Sequence, residues 1–182
     1  MPCTLYLGFE GVLHPNQVFF STGGLPKLKA PGHKLFENNH FLEQILEAVP
    51  DTPIVIHSWW VYYVGYRAAR ERLPAVAQRQ VIGATWPRNR VTRFKSKEPT
   101  PRSDWLIQDL ARRRPQSVAI VDYDYRLVPT QLKDVAFILH GTQGLCSQEQ
   151  CDALITLLRE APACSPLVPL GRKGTPASAS NT

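Results

Sequence analysis

Residues 4–15, Thr-Leu-Tyr-Leu-Gly-Phe-Glu-Gly-Val-Leu-His-Pro, constrain the fold more than any other stretch. An apolar run ends there in a short acidic turn that contains glycine. A strand covered on both faces of a parallel sheet reads as such a run. Its carboxyl end is where open α/β sheets gather ligands. Two further runs end in polar residues. Ile54-Val55-Ile56-His57 leads into Ser58, and Val118-Ala119-Ile120-Val121 leads into Asp122-Tyr123-Asp124.

Helical patterns lie between these runs. Phe41, Leu42, Ile45, Leu46 and Val49 share one face of a helix that stops before Pro50. An aromatic-rich helix follows Ser58-Trp59-Trp60 and runs to about Leu73, before Pro74. Val81–Ala84 and Val135–Leu139 read as further strands. Ser103 or Asp104 is expected to cap a helix through Arg113, with Trp105, Leu106 and Leu110 inside and Asp109 at the edge. Ser147 caps a last helix, Glu149 to Glu160. Alternating strands and helices predict an α/β domain over residues 1–162, with a parallel sheet and helices on both faces. Residues 14–40, rich in Pro and Gly, read as an irregular excursion of the kind that covers a site. Residues 86–101 read as a polar, basic loop. The Pro-, Ser-, Gly- and Ala-rich stretch 163–182 is expected to be a disordered tail.

The 182 residues are enough for one core, and 43% apolar with 20% charged residues is a soluble composition. No apolar run reaches the roughly 18 residues of a membrane span, and the start has no leader pattern, so a cytoplasmic location is expected. Cys3, Cys146, Cys151 and Cys164 lack zinc-site spacing and read as reduced structural thiols. The net charge of +6 favours anionic partners such as phosphate esters or nucleic acid.

The three strand ends together resemble the motifs of the haloacid dehalogenase (HAD) superfamily. Its first motif is an apolar run followed by Asp-x-Asp-Gly-Val-Leu, and here Gly8 and Glu10 stand at the two aspartate positions. Ser58 matches the Ser or Thr of the second motif. Arg102, with Lys97 second, matches the cation of the third. Asp122 and Asp124 match the acidic pair of the fourth. The resemblance implies a Rossmannoid sheet with a small cap loop and Mg²⁺-dependent phosphoryl hydrolysis. It implies Glu10, Ser58 and Arg102 as catalytic residues and Glu10, Asp122 and Asp124 as metal ligands. Ser58-Trp59, Arg72-Leu73-Pro74 and Val81–Thr85 are also similar to small bacterial HAD domains associated with predicted RNA repair. Those usually read Ser-Trp-Arg, and Trp60 takes the arginine position here.

Gly8 removes the carboxylate that would attack phosphorus, together with one metal ligand. Glu10 is one methylene longer than aspartate, enough to misplace it by about 1 Å. The residues therefore admit three readings. A pseudoenzyme keeps the pocket and binds a phosphorylated ligand. Alternatively, Glu10 acts as base on water beside an Asp122-bound Mg²⁺, or the constellation is a relic without a ligand. A nucleic-acid- or protein-binding module that uses the basic loop 88–102 is the rival from another class. It would use Arg88, Arg90, Arg93, Lys95 and Lys97 on nucleic-acid phosphates, with Trp86 and Phe94 stacking on bases. A solvated basic loop is the plain alternative, and a packed aromatic core is the plain reading of Trp59, Trp60, Tyr62, Tyr63 and Tyr66.

Overall fold

The structure, a computed structural model, describes residues 2–21, 25–86 and 100–163. The basic run Arg88–Lys97, Phe94, Cys164 and nearly all of the expected tail lie outside the described residues.

The first strand, β1 (Thr4–Leu7), is buried throughout. The chain then enters the excursion, which is not wholly irregular. It contains a two-stranded antiparallel ribbon, β2 (Val18–Phe19) and β3 (Lys27–Leu28). Helix α1 (Asn39–Ala48) follows, then β4 (Ile54–Ile56). The aromatic helix is interrupted. Gly65, at φ +90°, separates α2 (Trp59–Val64) from α3 (Tyr66–Arg70). A short helix that the sequence pattern does not reveal, α4 (Ala75–Gln80), precedes β5 (Val81–Ala84).

Helix α5 spans Arg102–Arg113. It begins before either expected cap. Pro101 occupies the N-cap position at φ −54°, so neither Ser103 nor Asp104 caps the helix. This earlier start places Arg102 in the first turn. Then come β6 (Val118–Asp122), two 3₁₀ turns over 125–135, β7 (Ala136–Ile138) and α6 (Gln148–Glu160). The Ser147 hydroxyl caps α6 by accepting from the Gln150 amide at 3.3 Å.

The five longer strands form one parallel sheet in the order β5-β4-β1-β6-β7. The chain moves outward from β1 through β4 to β5, then crosses to β6 on the other side of β1. The order reverses between β1 and β6, so the crevice beyond their carboxyl ends is a topological switch point.

Side chains alternate between two cores. Leu5, Leu7, Ile54, Ile56, Ala119 and Val121 face α1 and α6, together with Trp60 from α2. Tyr6, Val55, Val118 and Ile120 face Leu106 and Leu110 of α5. On the α5 side, the Tyr6 hydroxyl donates to Asp109 at 3.1 Å, and Asp109 also accepts from Arg112 and Arg113. Asp109 is thus a buried anchor between α5 and β1, not an edge residue. No helix among the described residues is long and apolar enough to cross a membrane.

The anchor makes two substitutions unequal. Tyr6→Phe removes one hydrogen bond and is expected to cost about 1 kcal/mol. Asp109→Ala leaves the Tyr6 hydroxyl buried without an acceptor and is expected to cost roughly 1–3 kcal/mol on that count alone. Urea unfolding of both variants checks the order. Equal losses would show that the hydroxyl finds another partner.

Candidate functional site

Three strand ends and one helix start converge beyond the sheet. The Gly8 amide continues the β1–β6 ladder by donating to the Val121 carbonyl at 2.9 Å. A Cβ at Gly8 would stand 2.9 Å from that oxygen and 3.2 Å from Asp122 Oδ2. The Asp122 carboxylate therefore lies against the face where a side chain at position 8 would begin. Gly11, at φ +66°, then turns the chain back, and the Tyr123 ring packs where its side chain would go. The turn carries Glu10 inward.

Ser58 follows β4 and caps α2. Its Oγ accepts from the Trp60 amide at 3.1 Å and donates its proton to the Glu10 carboxylate, at 3.0 and 3.1 Å from the two oxygens. Arg102 reaches in from the first turn of α5. Its Nη1 donates to the His57 carbonyl at 2.8 Å and its Nη2 to Asp122 Oδ1 at 3.1 Å, with Glu10 Oε2 3.9 Å from Nη1. The backbone amides of Tyr123 and Asp124 also donate to Asp122 Oδ1, at 2.8 and 3.3 Å. All four side chains are buried, from 0% exposure at Arg102 and Asp122 to 3% at Glu10.

Burial raises the pKa of the Glu10 and Asp122 carboxyls, and Arg102 opposes that in both. Burial also works against the Arg102 charge, but Asp122 and Glu10 together outweigh it and keep the guanidinium protonated. Two polar atoms of the cluster, Arg102 Nε and Asp122 Oδ2, have no hydrogen-bond partner among the described residues.

The sequence-derived residues thus divide. Glu10, Ser58, Arg102 and Asp122 come together. Asp124 does not join them. Its carboxylate is held by Arg126 at 2.8 and 2.9 Å, and that pairing draws its pKa down. Trp60 is 1% exposed and packs against Phe36, His14 and Phe20, with the Arg72 guanidinium 5.9 Å from its ring centroid.

Sequence reasoning passed over Thr85 and the His57 carbonyl as parts of this site. Thr85 Oγ1 sits 3.0 Å from His57 Nδ1 and fixes the residue whose carbonyl holds Arg102. The sequence signals for Thr85 are its place just after β5 and within the Val81–Thr85 segment of the family resemblance.

The HAD resemblance implies Mg²⁺ at this site. The donor set here does not fit that ion. Mg²⁺ demands near-octahedral oxygen ligation. Glu10 is engaged by Ser58, Asp122 Oδ1 already has three donors, and Asp124 is turned to Arg126. One orphaned oxygen, Asp122 Oδ2, remains beside a guanidinium that already supplies the cation between the two acids. Among the described residues, no group of three or more His, Cys, Asp or Glu side chains is placed to hold a metal.

Two buried histidines flank the cluster. Burial lowers the His57 pKa well below the ordinary value, and Arg102 adds to this. Burial brings His14 down to about 4. Between its folded pKa and pH 6.5 each ring is neutral when folded and takes up a proton on unfolding. Their contribution is therefore present above pH 6.5 and lost as pH falls through the folded values. His14 alone is expected to remove roughly 3 kcal/mol of stability between pH 6.5 and 4. Denaturant titrations of wild type and His14→Phe across that range check it. Parallel curves would contradict a neutral buried His14.

No curated protein matches the chain. A family model described as the HAD domain in Swiss Army Knife RNA repair proteins matches residues 4–149. That span takes in β1, the excursion, all three strand ends and the start of α6. Together with the parallel sheet and its switch-point cluster, it shows that the chain belongs to this HAD family.

Proposed function

We propose that this chain is a HAD-fold pseudoenzyme, which keeps the outline of a phosphoryl-binding site and does not hydrolyse phosphate esters. The observation that carries the reading is Gly8. Covalent phosphoryl transfer needs a carboxylate at that strand end to attack phosphorus. Glycine has none, and a Cβ there would stand 2.9 Å from the Val121 carbonyl, so the strand end would have to shift to admit one.

The rest of the cluster supports the same conclusion. The Ser58 hydroxyl, which the family resemblance assigns to the phosphoryl group, is spent on Glu10. The Arg102 guanidinium is spent on Asp122 and the His57 carbonyl. In this reading the Glu10 carboxylate is an internal anion in the place of a phosphoryl oxygen. A phosphorylated small molecule or nucleic-acid end enters only by displacing it, so binding is weak. The family's association with RNA repair and the net charge of +6 favour a nucleic-acid end as that partner.

The test is phosphate release from p-nitrophenyl phosphate and from a terminally phosphorylated oligonucleotide, with Mg²⁺ present. Wild type is expected to stay at the buffer background. Gly8→Asp is expected to stay there too and to lose stability, by roughly 1–3 kcal/mol from overpacking alone. Wild-type turnover that disappears in Glu10→Gln would overturn the reading in favour of a residual Glu10-dependent phosphatase.

A further inference from the structure

A cavity of about 820 Å³ lies along the outer edge of β5, between α2–α3 and the second half of α5. Its volume is in the range of small-molecule sites, roughly 300–1,000 Å³. None of its lining side chains belongs to the Glu10–Arg102–Asp122 cluster. Thr85 lines the cavity and holds His57, so the two sites are neighbours.

The cavity lining has two unlike parts. One is aromatic, with Tyr62, Tyr66 and Trp86. Trp86 is braced by edge-on contacts to Tyr62 at 5.0 Å and Trp105 at 4.6 Å, which fix the plane of its indole. Gln108, Arg112 and Arg113 of α5 form the polar part of the lining. Both guanidiniums donate to the same buried carboxylate, Asp109, which also holds Tyr6. One acid shared by two cations leaves a net positive charge with a set direction. Gly83 completes this part, because a Cβ there would collide with the Arg113 guanidinium. Arg113 is pinned, at 21% side-chain exposure, whereas Arg112 is 64% exposed and keeps donors for an incoming anion.

These features select a ligand with a flat ring, an anionic group and a hydrogen-bonding edge. A ring stacks on aromatic side chains whatever its sequence identity. A guanidinium presents a fork of donors that matches phosphate oxygens. Gln108 offers both a donor and an acceptor. We propose that this cavity binds one nucleotide unit, with the base against Trp86 and Tyr66, the phosphate on Arg112, and Gln108 at the base edge. The inference is independent of whether the Glu10 cluster hydrolyses anything.

The same unit can arrive as a free mononucleotide or as part of a single strand. Calorimetric titration of the full chain at low ionic strength with AMP, UMP and a uridine hexanucleotide separates the sources. Saturable binding of a mononucleotide assigns a free nucleotide. Binding of the hexanucleotide alone assigns a strand. In either case Trp86→Leu and Arg112→Ala are each expected to weaken binding on the order of tenfold. Arg67→Ala removes the same charge from an exposed position outside the cavity and is expected to change binding less than twofold. Arg112 is exposed, so its variant folds even if Trp86→Leu does not. Absence of binding by all three ligands overturns the proposal. Equal hexanucleotide binding by wild type and Arg112→Ala also overturns it, because the affinity then comes from charge elsewhere.

Discussion

A guanidinium with no exposure to solvent has to meet its charge inside the protein. Arg102 does so at the one place where three strand ends meet. It joins the His57 carbonyl after β4 to Asp122 at the end of β6, and it faces Glu10 after β1. The crevice that this topology opens for ligands is closed here by a buried arginine and two acids. The Ser58 hydroxyl completes the closure by turning to Glu10. In the proposed reading, the groups that a phosphoryl site would use stabilise one another instead.

The same helix is fixed twice by buried charge. Arg102 in its first turn holds the strand ends, and Asp109 further along holds Tyr6 in the middle of β1. Beside these points Leu106 and Leu110 pack on Tyr6, Val55 and Ile120. Apolar burial supplies most of the adhesion, since it scales with area and lacks direction. The two polar anchors set the register of α5 along the sheet. Through Asp109 that register also orients Arg112 and Arg113 toward the β5-edge cavity. The closed cluster and the open cavity are consequences of one helix placement.

Much of this was legible in the residues. Strands covered on both faces are short apolar runs, so β1, β4 and β6 stand out in the sequence, and their polar ends mark the crevice. The family match over 4–149 covers these stretches. Other parts had no periodic signal. Strands β2 and β3 have two residues each, and α4 buries only Ala77 after Pro74. The aromatic run Trp59–Tyr66 looks continuous, but Gly65 breaks it into two helices. Asp122 and Asp124 would share a face if β6 continued. The strand ends at Asp122, and Asp124 caps the next 3₁₀ turn and pairs with Arg126. A sequence also cannot say that Ser58 faces Glu10, or that a side chain at Gly8 would meet the Val121 carbonyl. Those are facts of approach between distant strands.

The central claim is that the Glu10–Arg102–Asp122 cluster is a closed structural ion group. Its most direct test is the stability of Arg102→Met alone and combined with Glu10→Gln and Asp122→Asn. The single variant strands two buried acids and is expected to lose roughly 3–5 kcal/mol in denaturant unfolding. The triple variant removes the charges together and is expected to recover most of that loss. A single variant as stable as wild type would show that the crevice is solvated and open, and would contradict the account.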